Sequence, residues 1–279
     1  MTGTTRGGRS RRHFTIGQVG KNVHMVNNLS EGALDMGVPM TLQIFRGFLA
    51  AILIIAACPA NADDGLCRAL PEISANPNLT VGHIPSGAAQ VHFVKDGLME
   101  PGCPNQTPAC TDKAYLVPGD RVILSARADA FVCATYLNAR GGVRTGWLPA
   151  NAVAYDEAKP LALSDWLGKW SMVEAEITMK AGKTGALLIE GNATWGAQDP
   201  ARVKRGGVNV GMIAGEVTPA GERLSFAMGD SATLPVDKGG EFDCKVWMRR
   251  LGPWLIVDDN GNCGGHNVTF RGIYTHKRA

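Results

Sequence analysis

Short runs in which apolar and polar residues alternate cover most of the chain after residue 80. Alternation with a period of two is typical of half-buried β-strands, whereas an amphipathic helix needs apolar residues every three or four positions. Turn residues recur about every 8 to 12 residues, the spacing of an all-β protein. The pattern predicts short helices only over residues 67–73 and 162–167. The chain is therefore expected to be all-β.

Two strand-rich blocks lie on either side of residues 155–163, which read YDEAKPLAL and contain Pro160 among charged residues. The strands predicted in the first block are 90–94, 114–117, 121–126, 131–137 and 144–148. Those predicted in the second block are 171–179, 186–195, 211–217, 223–228, 242–249, 254–257 and 267–274. Turn signals such as Lys238-Gly239-Gly240 separate them, as turn chemistry requires.

Three motifs of the first block follow one another in a familiar order. They are Val117-Pro118-Gly119-Asp120, the β-branched and aromatic run 131–136, and Gly146-Trp147-Leu148-Pro149. This order resembles that of a bacterial Src-homology-3-like domain, over residues 81–155. The loop between Cys103 and Cys110 departs from the family pattern as an insertion.

The resemblance implies a small barrel that binds rather than catalyses, in a family that often recognises peptidoglycan or peptides. The candidate ligand-binding side chains are four aromatic residues: Tyr115, Phe131, Tyr136 and Trp147. An exposed aromatic groove can hold an extended peptide. The alternative is that residues such as Phe131 and Trp147 form the core of a small domain.

The second block predicts an antiparallel up-and-down β-barrel or a strongly curled sheet, because closure removes exposed strand edges. Its opening Gly168-x-Trp170 resembles, loosely, that of lipocalin-type barrels. Side chains predicted to point inward include Ile177, Leu188, Trp195, Phe226, Trp247 and Trp254. Such a barrel either encloses a small ligand or is filled by its own side chains.

The N-terminal segment predicts export. Residues 40–62 combine the basic Arg46, an apolar stretch at 48–57 and the small-x-small site Ala60-Asn61-Ala62, as secretory signal peptides do. The mature chain is expected to begin near Asp63 and to act in the periplasm or outside the cell. Residues 1–39 are interpreted as a non-structural leader or a mis-assigned start; a long basic n-region or a disordered arm are the alternatives.

Cys58 supports a second interpretation of this segment. Ile55-Ala56-Ala57-Cys58 resembles the lipobox of bacterial lipoproteins, in which a lipidated cysteine anchors the chain to a membrane without spanning it. The sequence thus divides into a leader (1–39), a signal peptide (40–62), an N-terminal segment (63–80), a Src-homology-3-like domain (81–155), a linker (156–164) and a lipocalin-like barrel (165–279).

Removing the first 62 residues changes the charge of the protein. The whole chain has 28 basic and 25 acidic residues, but residues 1–62 hold six of the basic and two of the acidic ones. The mature part therefore has a net charge of −1. Without a basic field to attract a polyanion, nucleic acid is not an expected partner.

Six cysteines remain after the signal peptide, an even number that predicts disulfides in an oxidising compartment. Cys103 and Cys110 bracket a short Pro- and Asn-rich loop, and Cys244 and Cys263 lie on neighbouring predicted strands. Cys67 and Cys133 then pair by elimination. No C-x-x-C pair suggests zinc, and neither a metal nor another cofactor is expected.

The sequence contains no G-x-S-x-G elbow, P-loop, H-E-x-x-H or dinucleotide fingerprint, so we do not expect an enzyme. Arg202, Lys204 and Arg205 form a cationic cluster that either meets an acidic partner or is solvated loop charge. The leading hypothesis is a cell-envelope protein whose first domain contacts peptidoglycan or a peptide. In the alternatives, the second barrel inhibits a lysozyme-type enzyme in the periplasm, binds another envelope protein, or carries a small hydrophobic ligand.

Overall fold

A computed structural model describes residues 66–73 and 78–276 of the chain. The predicted leader (1–39), the signal peptide (40–62) and Cys58 lie outside these residues. All described residues belong to one compact unit, Pro59–Ala279. The fold is all-β, as predicted, and consists of two antiparallel sheets.

The first sheet has seven strands in the order β3-β2-β6-β5-β4-β1-β7. They are β1 (Thr80–His83), β2 (Val91–Val94), β3 (Thr111–Leu116), β4 (Arg121–Ala128), β5 (Phe131–Leu137), β6 (Val143–Pro149) and β7 (Ala154–Tyr155). The β5–β6 hairpin closes because the Asn138 side chain accepts the backbone N–H groups of Arg140 and Gly142, both at 2.9 Å. Gly141, at φ +82°, supplies the left-handed residue of this turn.

The second sheet has nine strands in the order β11-β10-β9-β8-β16-β15-β14-β12-β13. They are β8 (Gly168–Met172), β9 (Ala175–Ala181), β10 (Leu187–Trp195), β11 (Asn209–Val217), β12 (Arg223–Met228), β13 (Thr233–Leu234), β14 (Cys244–Leu251), β15 (Trp254–Asp259) and β16 (Gly272–His276). The last strand pairs with the first, as in an up-and-down barrel.

A seam remains in this barrel between β11 and the β12–β13 hairpin. Side chains bridge it: the backbone N–H of Glu216 donates to Thr233 Oγ1 at 3.0 Å, and that of Ala214 to Met228 Sδ at 3.4 Å. The sheet is thus nearly closed into a barrel, and side chains partly protect the edge of β11.

The helices are short. Pro108–Cys110, Ala150–Ala152, Leu163–Asp165 and Val236–Lys238 are 3-10 turns, and the α-helix α1 spans Pro200–Lys204. Asp199 caps α1 by accepting the N–H of Ala201 at 2.9 Å, a normal N-cap contact. No helix among the described residues has the length and apolar character needed to cross a membrane.

Three of the predicted elements differ from the structure. Residues 67–73 are not helical, and the strand predicted over 171–179 is two strands, because Glu174 adopts φ +63° and turns the chain. The strand predicted over 267–274 begins only at Gly272. Asp259 explains this shift, because its carboxylate accepts the N–H groups of Phe270 (2.6 Å) and Arg271 (3.1 Å) before they can enter a ladder.

Each sheet has its own core. The first packs aliphatic side chains such as Val122, Leu124 and Leu148 around Phe93, whereas the second encloses a larger cluster that includes Trp166, Trp170, Phe226, Phe270 and Tyr274. A third cluster joins the sheets. Its buried members are Ile73, Leu79, Val81, Ile123, Leu251, Trp254, Ile256 and Ile273.

All six described cysteines form pairs at disulfide distance: Cys67–Cys133, Cys103–Cys110 and Cys244–Cys263. These are the pairs that the sequence predicts. Disulfides indicate that the protein folds in an oxidising compartment. Cys67–Cys133 joins the N-terminal segment to β5, and Cys103–Cys110 closes the loop between β2 and β3. Both disulfides belong to the buried cluster of Phe131 and Trp147 on the outer face of the first sheet.

Candidate functional site

The four aromatic residues predicted to bind a ligand occupy different environments. Trp147 is 0% exposed and Phe131 5% exposed, because both lie under the Cys67–Cys133 and Cys103–Cys110 disulfides. Neither side chain can face a ligand at the surface of this fold. The core alternative that the sequence left open therefore describes these two residues.

Tyr115 and Tyr136 reach the surface separately. Tyr115, on edge strand β3, is 48% exposed and its ring lies 5.5 Å from that of His92. Tyr136, on β5, donates its hydroxyl to Asp120 Oδ1 at 3.2 Å. Burial and the Asp120 carboxylate raise the pKa of Tyr136. Of the four predicted ligand-binding residues, Tyr115 is therefore the one with an exposed ring, and it lies beside His92.

A more enclosed cleft lies where the two sheets meet. It has a volume of about 620 Å³, within the usual range for small-molecule sites. We call it the junction cleft. Residues 79–81, 121, 156–161, 165, 222 and 249–253 line it. The first sheet, the linker and the second barrel all contribute, so the cleft exists only when both sheets are docked.

Two buried arginines hold one wall of the junction cleft. Arg249 donates to the Leu79 carbonyl and pairs with Glu222 Oε1, both at 2.7 Å. Burial lowers its pKa, while Glu222 acts in the opposite direction. Because Leu79 precedes β1 and Arg249 lies on β14, this contact ties the two sheets together.

Arg250 helps to hold the same wall of the junction cleft. Its Nε donates to the Asp165 carbonyl at 3.0 Å, its Nη1 donates to the Trp254 carbonyl, and its guanidinium lies 4.2 Å from the Trp170 ring centroid. Burial lowers the pKa of Arg250. With its donors engaged in this way, Arg250 is a positioning residue for the linker rather than a ligand contact.

The opposite rim of the junction cleft carries accessible charge. Asp156 Oδ1 lies 2.6 Å from His83 Nδ1, and Asp156 Oδ2 lies 3.6 Å from Arg121 Nε. Glu157 and Lys159 are exposed and make no ion pair with any described residue. Over an apolar floor that includes Val81 and Leu251, the cleft thus offers both a cationic and an anionic rim.

The interior of the second barrel is filled by its own side chains. Trp170, Ile177, Phe226, Phe270 and Tyr274 are each no more than 1% exposed, and burial raises the pKa of Tyr274 well above its ordinary value. Three residues predicted to point inward do not: Leu188 is 42% exposed, and Trp247 and Trp254 pack in the cluster between the sheets. Because side chains fill the interior, the packing favours a barrel with a structural role over one that carries a ligand.

One loop of the second barrel presents an isolated aromatic ring. Phe242 is 84% exposed, although its loop is held on both sides. Asn262 Nδ2 donates to the Glu241 carbonyl at 3.1 Å and Asn260 Nδ2 to the Asp243 carbonyl at 2.8 Å. The Cys244–Cys263 disulfide follows directly. The Phe242 ring is therefore exposed on a loop that hydrogen bonds and a disulfide hold in place.

Within residues 66–73 and 78–276, no cluster of His, Cys, Asp and Glu side chains has a metal-binding arrangement. No family model, curated protein or solved structure matches the chain. The resemblance to Src-homology-3-like and lipocalin-type domains therefore stays a prediction, and the geometry of the molecule carries the functional argument.

The sequence did not reveal the junction cleft, because its walls come from segments as far apart as residues 79 and 253. One signal was present. Arg249 and Arg250 interrupt a strand of otherwise buried residues, and adjacent arginines inside an apolar run need buried partners. Their partners, Leu79, Asp165 and Glu222, lie too far away in the sequence to be recognised.

Proposed function

We propose that the protein is an exported, non-catalytic binding protein that takes a short charged peptide, such as the stem peptide of peptidoglycan, in the junction cleft. The observation that carries the proposal is the cleft itself: about 620 Å³, an apolar floor, and rims of both charge signs. A peptide with free carboxylates and an amino group matches such a lining. The predicted signal peptide and the three disulfides, which form in oxidising compartments, support the cell envelope as the protein's location.

The rim residues have distinct roles in this proposal. Arg121 and Lys159 receive ligand carboxylates, and Glu157 receives an amino group. Arg249 and Glu222 keep the wall in place without moving, since each already has a partner. Preorganised contacts of this kind reduce the entropy cost of binding.

Calorimetric titration with soluble muropeptides from digested cell wall tests the proposal. The double variant Arg121→Gln, Lys159→Gln should weaken binding by about tenfold or more, because a hydrogen bond to a charged group contributes about 1.5–3 kcal/mol. The matched control, Lys113→Gln with Arg140→Gln, removes two exposed charges outside the cleft and should bind like the wild type.

A Tyr115→Ala variant separates the cleft from the aromatic surface on β3. If Tyr115→Ala abolishes binding and the cleft variants do not, the ligand sits on β3 and the cleft assignment is wrong. If the wild type gives no heat with muropeptides and does not sediment with intact cell wall, the envelope-binding function itself is wrong.

A second candidate function, inhibition of a lysozyme-type enzyme, rests on Phe242. Exposed aromatic anchors often dominate protein–protein binding, and the acidic neighbours Glu241 and Asp243 would suit an apolar pocket with a basic rim. The test is the rate at which lysozyme clears a cell-wall suspension. Inhibition that Phe242→Ala removes supports this function, and an unchanged rate at a large excess of the wild type rejects it.

A further inference from the structure

The β10–β11 connection, residues 196–208, carries three cations and one acidic residue, Asp199, in a chain whose mature part has a net charge of −1. Residues 200–215 contain Arg202, Lys204 and Arg205 and no acidic residue. Arg202 is engaged, because its guanidinium lies 3.9 Å from the Trp195 ring centroid and 3.8 Å from Asp199. Lys204 and Arg205 are exposed and make no ion pair with any described residue. Two cations therefore face solvent.

Exposed apolar side chains accompany these cations. Val203 is 54% exposed, Val210 66% and Met212 65%. Val210 and Met212 belong to the outer face of β11, because the alternate residue Ile213 is buried in the barrel. A single exposed apolar residue needs no explanation, but these three lie in the same stretch of chain as the two cations, residues 203–212.

The chain path brings the two groups together. The backbone N–H of Gly207 donates to the Arg202 carbonyl at 2.8 Å, so the chain folds back on α1. Val210 follows three residues later and so lies within about 11 Å of Gly207, at about 3.5 Å per residue. The N–H of Gly265 donates to the Val210 carbonyl at 3.0 Å and fixes the start of β11. We call Val203, Lys204, Arg205, Val210 and Met212 the cationic patch.

We propose that the cationic patch binds the surface of an anionic lipid membrane, whatever the junction cleft binds. Charge complementarity selects an anionic surface, since each Lys or Arg near such a membrane strengthens binding by about fivefold. The exposed Val and Met side chains select lipid over a soluble polyanion, because they gain free energy only by entering the boundary between headgroups and acyl chains. Interfacial contact of this kind needs no membrane-spanning segment.

Co-sedimentation with vesicles tests the proposal, using the chain from Asp63 to Ala279, because residues 48–57 would themselves partition into lipid. This chain keeps every described residue. The wild type should bind vesicles of phosphatidylglycerol mixed with phosphatidylcholine, and bind pure phosphatidylcholine at least tenfold more weakly. Lys204→Gln with Arg205→Gln should reduce binding to the anionic vesicles by about 25-fold.

Matched variants control for net charge and for exposed apolar area. Lys113→Gln with Lys183→Gln removes the same charge away from the patch, where both side chains are exposed and make no ion pair with any described residue, and should bind nearly like the wild type. Val210→Ser with Met212→Ser should weaken binding by about tenfold. Val143→Ser with Val173→Ser, at 51% and 55% exposure, should not.

Each of the following results would overturn the proposal. Equal losses for the patch and control lysine pairs mean that net charge alone drives binding. An unchanged affinity in the Val210→Ser, Met212→Ser variant, with equal binding to soluble polyphosphate, means that the ligand is an acidic polymer. Equal binding to neutral and anionic vesicles would show that Lys204 and Arg205 do not contribute to binding. Circular dichroism confirms that each variant is folded.

Discussion

The two sheets of this protein are held together by different means. The first has a modest aliphatic core; one disulfide joins the N-terminal segment to β5 and another closes a loop that covers the same outer face. The second has about twice as many buried core residues, five of them large aromatics, and one disulfide at a loop end. Small sheets bury too little apolar surface to be stable alone, so they rely on cross-links or neighbours.

The difference extends to how each region gains its stability. In the second barrel the side chains themselves fill the interior, β8 pairs with β16, and side chains bridge the remaining seam between β11 and the β12–β13 hairpin. In the first sheet, the outer face is covered on one side by the disulfide-linked segments and on the other by the second sheet. The first sheet therefore depends on its surroundings in a way that the second does not.

Trp170→Ala should have the largest effect, because it opens a cavity in the barrel core. Trp170 is 1% exposed, donates Nε1–H to the Trp166 carbonyl at 2.9 Å, and supports Arg250. Loss of a buried aromatic side chain costs about 3–5 kcal/mol, and we expect the upper end. Urea unfolding measures it, with Phe242→Ala as an exposed aromatic control. A loss below about 1 kcal/mol would show that the barrel does not rest on this core.

Removal of the Cys67–Cys133 disulfide should come next and act on the first sheet. The bond closes a loop with a sequence separation of 66, for which chain entropy predicts a loss of about 4 kcal/mol in the free energy of unfolding. The Cys244–Cys263 bond, with a separation of 19, should cost about 3 kcal/mol when removed. Denaturant curves of the two Cys→Ala double variants compare them. A larger loss in the second variant contradicts the contrast between the sheets.

The ion pair between Arg68 and Asp96 should contribute less, and with a defined pH dependence. Asp96 is 2% exposed and accepts Arg68 Nε at 2.5 Å and Nη2 at 2.6 Å. The Arg68 hydrogen bonds lower the pKa of Asp96 below its ordinary value of 3.8. Stability from this pair is therefore present above that value and is lost as the pH falls through the folded-state pKa.

Asp96→Asn should accordingly lower the free energy of unfolding by about 2 kcal/mol at pH 7. The difference from the wild type should shrink as the pH falls below about 4. Unfolding curves at pH 7, 5 and 3 measure it. A difference that is constant over this range would mean that the Asp96 charge does not hold the N-terminal segment to the first sheet.

The smallest predicted effect on stability comes from comparing an outward-facing and an inward-facing residue of β10. Leu188, at 42% exposure, points outward, whereas its neighbour Ile189 is 1% exposed. Leu188→Ser should change the free energy of unfolding by no more than about 0.5 kcal/mol, and Ile189→Ala should cost about 3 kcal/mol. Thermal melts of both variants test this. A larger loss for Leu188→Ser than for Ile189→Ala would mean that β10 has the opposite register.

Local patterns predicted most of the strands. The run Phe131–Leu137 and the strand Arg223–Met228 have the predicted bounds, because β-branched and aromatic residues between clear turns define a strand by themselves. The strands Thr80–His83, Ala154–Tyr155 and Thr233–Leu234 were missed. They are only two to four residues long, and they exist because a distant partner pairs with them.

The candidate site was far less accessible to sequence reasoning. Aromatic content suggested Tyr115, Phe131, Tyr136 and Trp147, but composition cannot tell a core ring from a binding ring when disulfides cover one sheet face. The junction cleft depends on Arg249 meeting Leu79 and Glu222. No local pattern encodes that meeting.

The sequence by itself determined the strand periodicity and the turns, because these depend on neighbours along the chain. It suggested the pairing of the six cysteines, and the structure confirmed the three pairs. Tertiary structure alone decided which face of each strand is covered. A one-residue change of register exchanges the two faces of a strand, and the tertiary contacts of each strand choose between them. The disulfide-linked segments buried Phe131 and Trp147, and the barrel interior took Ile189 and left Leu188 facing outward. The docking of the two sheets formed the junction cleft from residues scattered along the chain.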